Sequence, residues 1–144
     1  MSDYFMDFSN DDLDKGKELQ AVPEGEYRVR IKDWKTTEDG KFVRTTEDGR
    51  PYIMPVLEII GCPEAEYAKD FTHFMWMLDS DMDAKQKNNA RYKLNEFWSA
   101  FGIDTRQPID PEQTLGAEAD VLLTVQEDQG YGEQNRVKRF MPRR

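Results

Sequence analysis

Cysteine occurs once, at Cys62, and histidine once, at His73. A lone cysteine cannot form an internal disulfide, and one cysteine with one histidine cannot complete a four-ligand structural zinc site. Long apolar runs are missing too: none approaches the roughly 18 residues of a membrane span. The start, MSDYFMDFSNDD, is acidic where a secretory leader is basic. A soluble, intracellular chain with no membrane partner is therefore expected. Catalytic signatures are equally scarce, with no Walker-type Gly-Lys-Ser/Thr, no Gly-x-Gly-x-x-Gly and no Gly-x-Ser-x-Gly. The stretch DSDMDAK opens like a calcium loop, but Ala84 stands where the loop needs glycine and Ala90 where it needs glutamate. Its acids are expected to cap the helix that follows. No enzyme activity, metal or cofactor is assigned, and His73, set among apolar residues, reads as a hydrogen-bonded core or rim histidine.

What is present is charge, unevenly spread. The 144 residues carry 29 acids and 20 bases, a net charge of −9. A domain that grips phosphates by charge alone shows a basic excess, so the sum argues against a simple electrostatic binder. The distribution argues differently. Residues 1–26 hold eight acids against Lys15 and Lys17. Arg28, Arg30, Lys32 and Lys35 then oppose only Asp33, and the stretch 131–144 sets Arg136, Lys138, Arg139, Arg143 and Arg144 against Glu133.

An aromatic content of 12% is more than a disordered chain carries, and the length fits one core. Residues 1–20 lack the apolar surface to order themselves and read as an acidic, flexible arm; residues 21–144 read as a single domain, with folding beginning near Pro23. From there GEYRVRIKDW alternates, with Tyr27, Val29 and Ile31 on one face and Arg28, Arg30, Lys32 and Trp34 on the other. TTEDG occurs twice, nine residues apart, and each Asp-Gly predicts a tight turn, so the segment reads as a two-turn excursion with a short ribbon, Lys41 to Thr46, between. PYIMPVLEII forms a second strand in which Pro55 marks a bulge or an edge. FTHFMWM forms a third, with Phe71, His73, Met75 and Met77 opposite Thr72, Phe74 and Trp76. The spacing of Leu94, Phe97, Trp98 and Phe101, closed by Gly102, predicts a helix docked by one aromatic stripe. EADVLLTVQE and NRVKRFM supply strands four and five around the turn DQGYG. A mainly β chain of five strands, with one helix between the third and fourth, has the element order of the OB-fold, a small Greek-key barrel.

Single-stranded nucleic acid is held by aromatic rings that stack bases, at roughly 1–3 kcal/mol each, and by Lys and Arg that track phosphates. Arg28, Arg30, Lys32, Trp34, Tyr52, Phe74, Trp76, Tyr131, Arg136, Lys138 and Arg139 could line one such groove. The competing reading makes each ring a core residue, and the β-strand cations a solvated face.

Three stretches resemble the small phage-encoded single-stranded-DNA-binding proteins: the start DYFMDFSNDDLDK, the entry VPEGEYRVRI and the ending YGEQNRVKRF. PYIMPVLEII and the helix ending FWSAFGI fall where that family has its second strand and helix. The resemblance spans most of the chain from Pro23, and the TTEDG duplication and the MWML strand depart from it. It implies an OB-fold, non-catalytic and sequence-tolerant binding of single-stranded DNA in phage replication or recombination, and self-association into a homo-oligomer in the cytoplasm of an infected bacterial host. The acidic arm, with Asp3, Tyr4, Phe5, Asp7 and Phe8, resembles segments that recruit replication or recombination proteins, or it only solubilises. If these cations neutralise about 3 to 5 phosphates, the log–log salt slope is about −2 to −3.5. The rivals are an acidic interaction factor or DNA mimic acting on a host enzyme, and a carboxylate-using nuclease.

Overall fold

A computed structural model describes residues 5–142. Asp3 and Tyr4 of the arm, and Arg143 and Arg144 of the basic end, lie outside the described residues. The chain is mainly β, with eight strands in two antiparallel sheets and one α-helix.

The first strand, β1 (Gly25–Trp34), owes its length to the alternation of Tyr27, Val29 and Ile31. It is central in a five-stranded sheet of order β5-β4-β1-β7-β8, where β4 is Pro55–Ile60, β5 Phe71–Thr72, β7 Glu118–Asp128 and β8 Gly132–Phe140. The second sheet is a ribbon of order β2-β3-β6, formed by Arg44–Thr45, Pro51–Ile53 and Met75–Trp76. The second and third expected strands are thus each broken in two. Pro55 is the break in the first case: it cannot donate to a ladder, it begins β4, and it faces Trp34 just past a bulge between Ile31 and Asp33 of β1. Residues 73–74 form the corresponding gap between β5 and β6.

The sheet is not closed into a barrel by hydrogen bonds. Its edges are β5 and β8, and side chains fill the space between: the His73 ring meets Phe140 edge-on at 4.9 Å and lies parallel to Phe97 at 6.1 Å. His73 therefore packs on rings, and its hydrogen bond is the backbone N–H given to the Pro55 carbonyl.

The helix α1 (Ala84–Ala100) covers this opening. Its start is a capping box, in which Asp83 accepts from the Gln86 N–H and the Gln86 side chain accepts from the Asp83 N–H. Its end is a Schellman motif: Gly102, at φ 72°, donates to Ser99, and Ile103 donates to Trp98. Phe97 is wholly buried among Trp34, His73, Phe101 and Phe140, a contribution of roughly 2–3 kcal/mol for that side chain.

Order begins earlier than Pro23. Gln20 bridges to Ala68, and buried Val22 exchanges hydrogen bonds of 2.9 Å with the Asn135 amide, which also donates to the Thr124 carbonyl. From Phe5 to Leu19 the residues are exposed.

Candidate nucleic-acid interface

The β2-β3-β6 ribbon places Arg44, Tyr52 and Trp76 directly opposite one another on neighbouring strands. Residues in such register share a face, so their side chains form a row across the ribbon. Phe74 joins it from the gap before β6. Its ring stacks on Tyr52 at 4.7 Å and meets Trp76 edge-on at 4.7 Å, while Tyr52 and Trp76 meet at 6.2 Å. Phe74 is 41% exposed.

Both TTEDG copies fold as the tight turns their Asp-Gly pairs predict. Gly40 and Gly49 take φ of 83° and 85°, their N–H groups donate to Thr37 and Thr46, and the threonine hydroxyls bond Asp39 and Asp48. These turns deliver two arginines to the cluster. The Arg50 guanidinium lies 3.9 Å from the centre of the Trp76 ring, and that of Arg44 5.8 Å from Tyr52. Neither is in an ion pair among the described residues, although the Arg50 charge helps hold Asp48 below the usual carboxylate range, after the Thr46 hydroxyl. Cation–π contact keeps a guanidinium near a ring without neutralising it. Arg44 and Arg50 were not among the residues expected to line the groove. The signal was there: Arg50 and Tyr52 are two apart across the start of a strand, and so share a face.

The face of β1 is built otherwise. Arg28 donates to Glu118 at 2.8 Å and Asp120 at 3.0 Å, Arg30 to Glu58 at 2.6 Å, and Lys32 to Asp70 at 2.6 Å. Glu118 and Glu58 stand opposite Arg30 on either side, and Asp120 opposite Arg28, so register brings acid to base. The hydrogen bonds Arg28 donates to Glu118 and then Asp120 raise its pKa, and the one Lys32 donates to Asp70 raises that of Lys32. These cations are exposed but paired. Arg136 likewise holds Asp128 at 2.7 Å.

Trp34 is not on that face. Lys32 is the extra residue of the β1 bulge, which moves the alternation by one and turns Trp34 inward, where it is 4% exposed. Its ring stacks on Trp98 at 5.8 Å, and its Nε1–H donates to the Thr114 hydroxyl. It is a core residue and offers no platform for a base.

Tyr131 is 78% exposed at the tip of the β7–β8 hairpin, where Lys69 and the Gln134 amide bond its carbonyl. It is in no ring contact with Tyr52, Phe74 or Trp76; Lys69 precedes β5, whereas those rings lie at its far end. Lys138 falls at a second bulge, between the pairs Leu123–Val137 and Leu122–Arg139, and both it and Arg139 are exposed and in no ion pair among the described residues. The expected groove therefore resolves into one ring cluster, one isolated tyrosine and a paired strand face.

Among the described residues no three His, Cys, Asp or Glu side chains converge as a ligand set, and no helix is long and apolar enough to cross a membrane. Burial, with a smaller push from Lys93, takes His73 down to about 4. No curated protein matches the chain. A family described as protein of unknown function (DUF669) matches residues 8–143, and the chain belongs to that family.

Proposed function

We propose that this protein binds single-stranded DNA without catalysis and with little sequence preference, through the Tyr52, Phe74 and Trp76 rings and the Arg44 and Arg50 guanidiniums. The observation that carries this reading is the ring cluster itself: three aromatic side chains in mutual contact on an outer face, attended by two arginines that are in no ion pair among the described residues. Ring faces suit bases of any identity, and unpaired guanidiniums suit phosphates. Strand order supports the OB-fold reading. With β3–β4 and β5–β6 each taken as one bent strand, the large sheet runs third, second, first, fourth, fifth, with the helix between third and fourth. In that fold the second and third strands and the first long loop meet the ligand, and here they carry the cluster. A role in phage replication or recombination, in the host cytoplasm, belongs to the same proposal. The rival of a DNA mimic needs an unneutralised acidic face, whereas Glu58, Asp70, Glu118 and Asp120 are spent on cations.

The test uses the tryptophans. Trp34 and Trp98 are buried, so quenching of emission by an oligonucleotide reports Trp76. A 30-mer titrated at low salt should quench saturably, and Trp76→Phe should abolish the signal while leaving weaker binding detectable by anisotropy. No anisotropy change with micromolar protein rejects the proposal.

A further inference from the structure

Behind the ribbon, on the face opposite the ring cluster, lies an apolar cleft of about 290 Å³ lined by Val43, Ile53, Met77, Leu94 and the two indoles Trp34 and Trp98, among others. That volume is at the small end for ligand pockets and suits one or two inserted side chains. One rim is basic. Lys87 and Arg91 continue the Leu94–Trp98 stripe toward the helix start, at the spacing that puts residues on one helical face. Neither is in an ion pair among the described residues. The remaining rim, with Gln107 and Ile109, carries acids: Asp104 is held by Arg106, and Asp110 caps the turn at Pro111–Thr114.

The arm has the complementary character. Phe5 is 84% exposed and Phe8 52%, with Met6 between them, and Asp7, Asp11, Asp12 and Asp14 follow at close spacing. Large apolar side chains left in solvent on an acidic strand of chain mark an interaction segment. We propose that the arm of a second copy of this chain seats Phe5 and Phe8 in the cleft, with its acids toward Lys87 and Arg91 and away from the Asp104–Asp110 rim.

Topology favours a second copy over the same chain. Gln20 is fixed at Ala68, before β1 begins, while Trp34 and the cleft lie at the far end of that ten-residue strand, about 30 Å on. To reach its own cleft, the arm must run back along the whole strand, which orders the residues that span that path. Reciprocal exchange between two chains avoids that path and closes a two-fold dimer.

This inference does not rest on DNA binding and is tested without it, by sedimentation velocity of the full chain from about 1 to 100 µM. The wild type should dimerise with concentration, and less at high salt. Phe5→Ala with Phe8→Ala on the arm, and Val43→Glu at the cleft mouth, should each weaken association at least about tenfold. All three sites are exposed, and circular dichroism checks that each variant folds. Mixing the two variants then supplies one intact arm and one intact cleft on different chains, and a heterodimer should form. A monomeric wild type, a dimer indifferent to both variants, or a mixture that stays monomeric overturns the proposal; the last two outcomes point to another interface and to docking within one chain, respectively.

Discussion

Two surfaces of this molecule carry positive charge, and they differ in what stands beside each cation. On β1, Arg28 and Arg30 face carboxylates delivered by the register of neighbouring strands, and Lys32 meets Asp70 from just before β5. On the ribbon, Arg44 and Arg50 face aromatic rings. A phosphate approaching β1 must displace an existing ion pair at each site; one approaching the ribbon meets charge that is already available. The number of cations in a strand therefore says little about anion binding until the strands flanking it are known.

The sharpest contrast is between two tryptophans, one per surface. Trp34→Ala removes the ring that stacks on Trp98 and touches Phe97, and leaves the buried Thr114 hydroxyl without that donor. It should cost about 3–5 kcal/mol of stability, read by denaturant unfolding. Trp76→Ala should cost far less stability, since the ring is half-exposed, and should instead weaken oligonucleotide binding by about 1–3 kcal/mol. Equal stability losses would break the distinction between core and platform.

Next in size is a pH effect at the seam between core and cluster, where His73 points inward and Phe74 outward. Burial holds His73 at about 4 against an ordinary 6.5. Between those values the unfolded chain takes up a proton that the folded chain refuses, so stability falls as pH drops through that window and levels off below it. The loss should be on the order of 3 kcal/mol at most. His73→Phe should flatten the slope between pH 6.5 and 4 in urea midpoints. The carboxylates with lowered pKa, Asp7, Asp39, Asp48 and Asp104, act from about pH 5 downward, so the slope between about pH 6.5 and 5 is the one to read for His73.

How much of this was legible in the sequence follows from the range of the forces involved. The helix, its aromatic stripe, its acidic cap and both Asp-Gly turns depend on residues within a few positions of one another, and all are found where periodicity and turn chemistry put them. Tyr52, Phe74 and Trp76 were legible as outward residues of two strands, because alternation survives the breaks at Pro55 and His73. Trp34 was misassigned, because one extra residue at Lys32 reverses every side chain after it, and no local signal marks a bulge. The pairing of β1 cations was hidden for a related reason: Glu58, Asp70, Glu118 and Asp120 lie 28 to 92 residues from their partners. Asn135, in a basic stretch, gave no hint that it would clamp Val22. Arg44, on the short ribbon between the turns, and Arg50, just after the second, were passed over because nothing local shows which rings that excursion folds against.

The smallest expected effects test the paired face directly. If β1 cations stay with their carboxylates, Arg30→Gln should change oligonucleotide affinity by less than about twofold and stability by about 1 kcal/mol or less, the usual worth of an exposed pair. Double replacement of Arg44 and Arg50 by Gln should weaken binding and lower the salt slope together. The two ribbon arginines with exposed Lys138 or Arg139 imply two to three neutralised phosphates, hence a slope of about −1.4 to −2.1. A chain that also recruited Arg28, Arg30 and Lys32 would show a steeper one. A measured slope beyond about −3, reduced by Arg30→Gln, would mean that DNA opens the β1 ion pairs, and the difference between the two surfaces would then be one of cost rather than of kind.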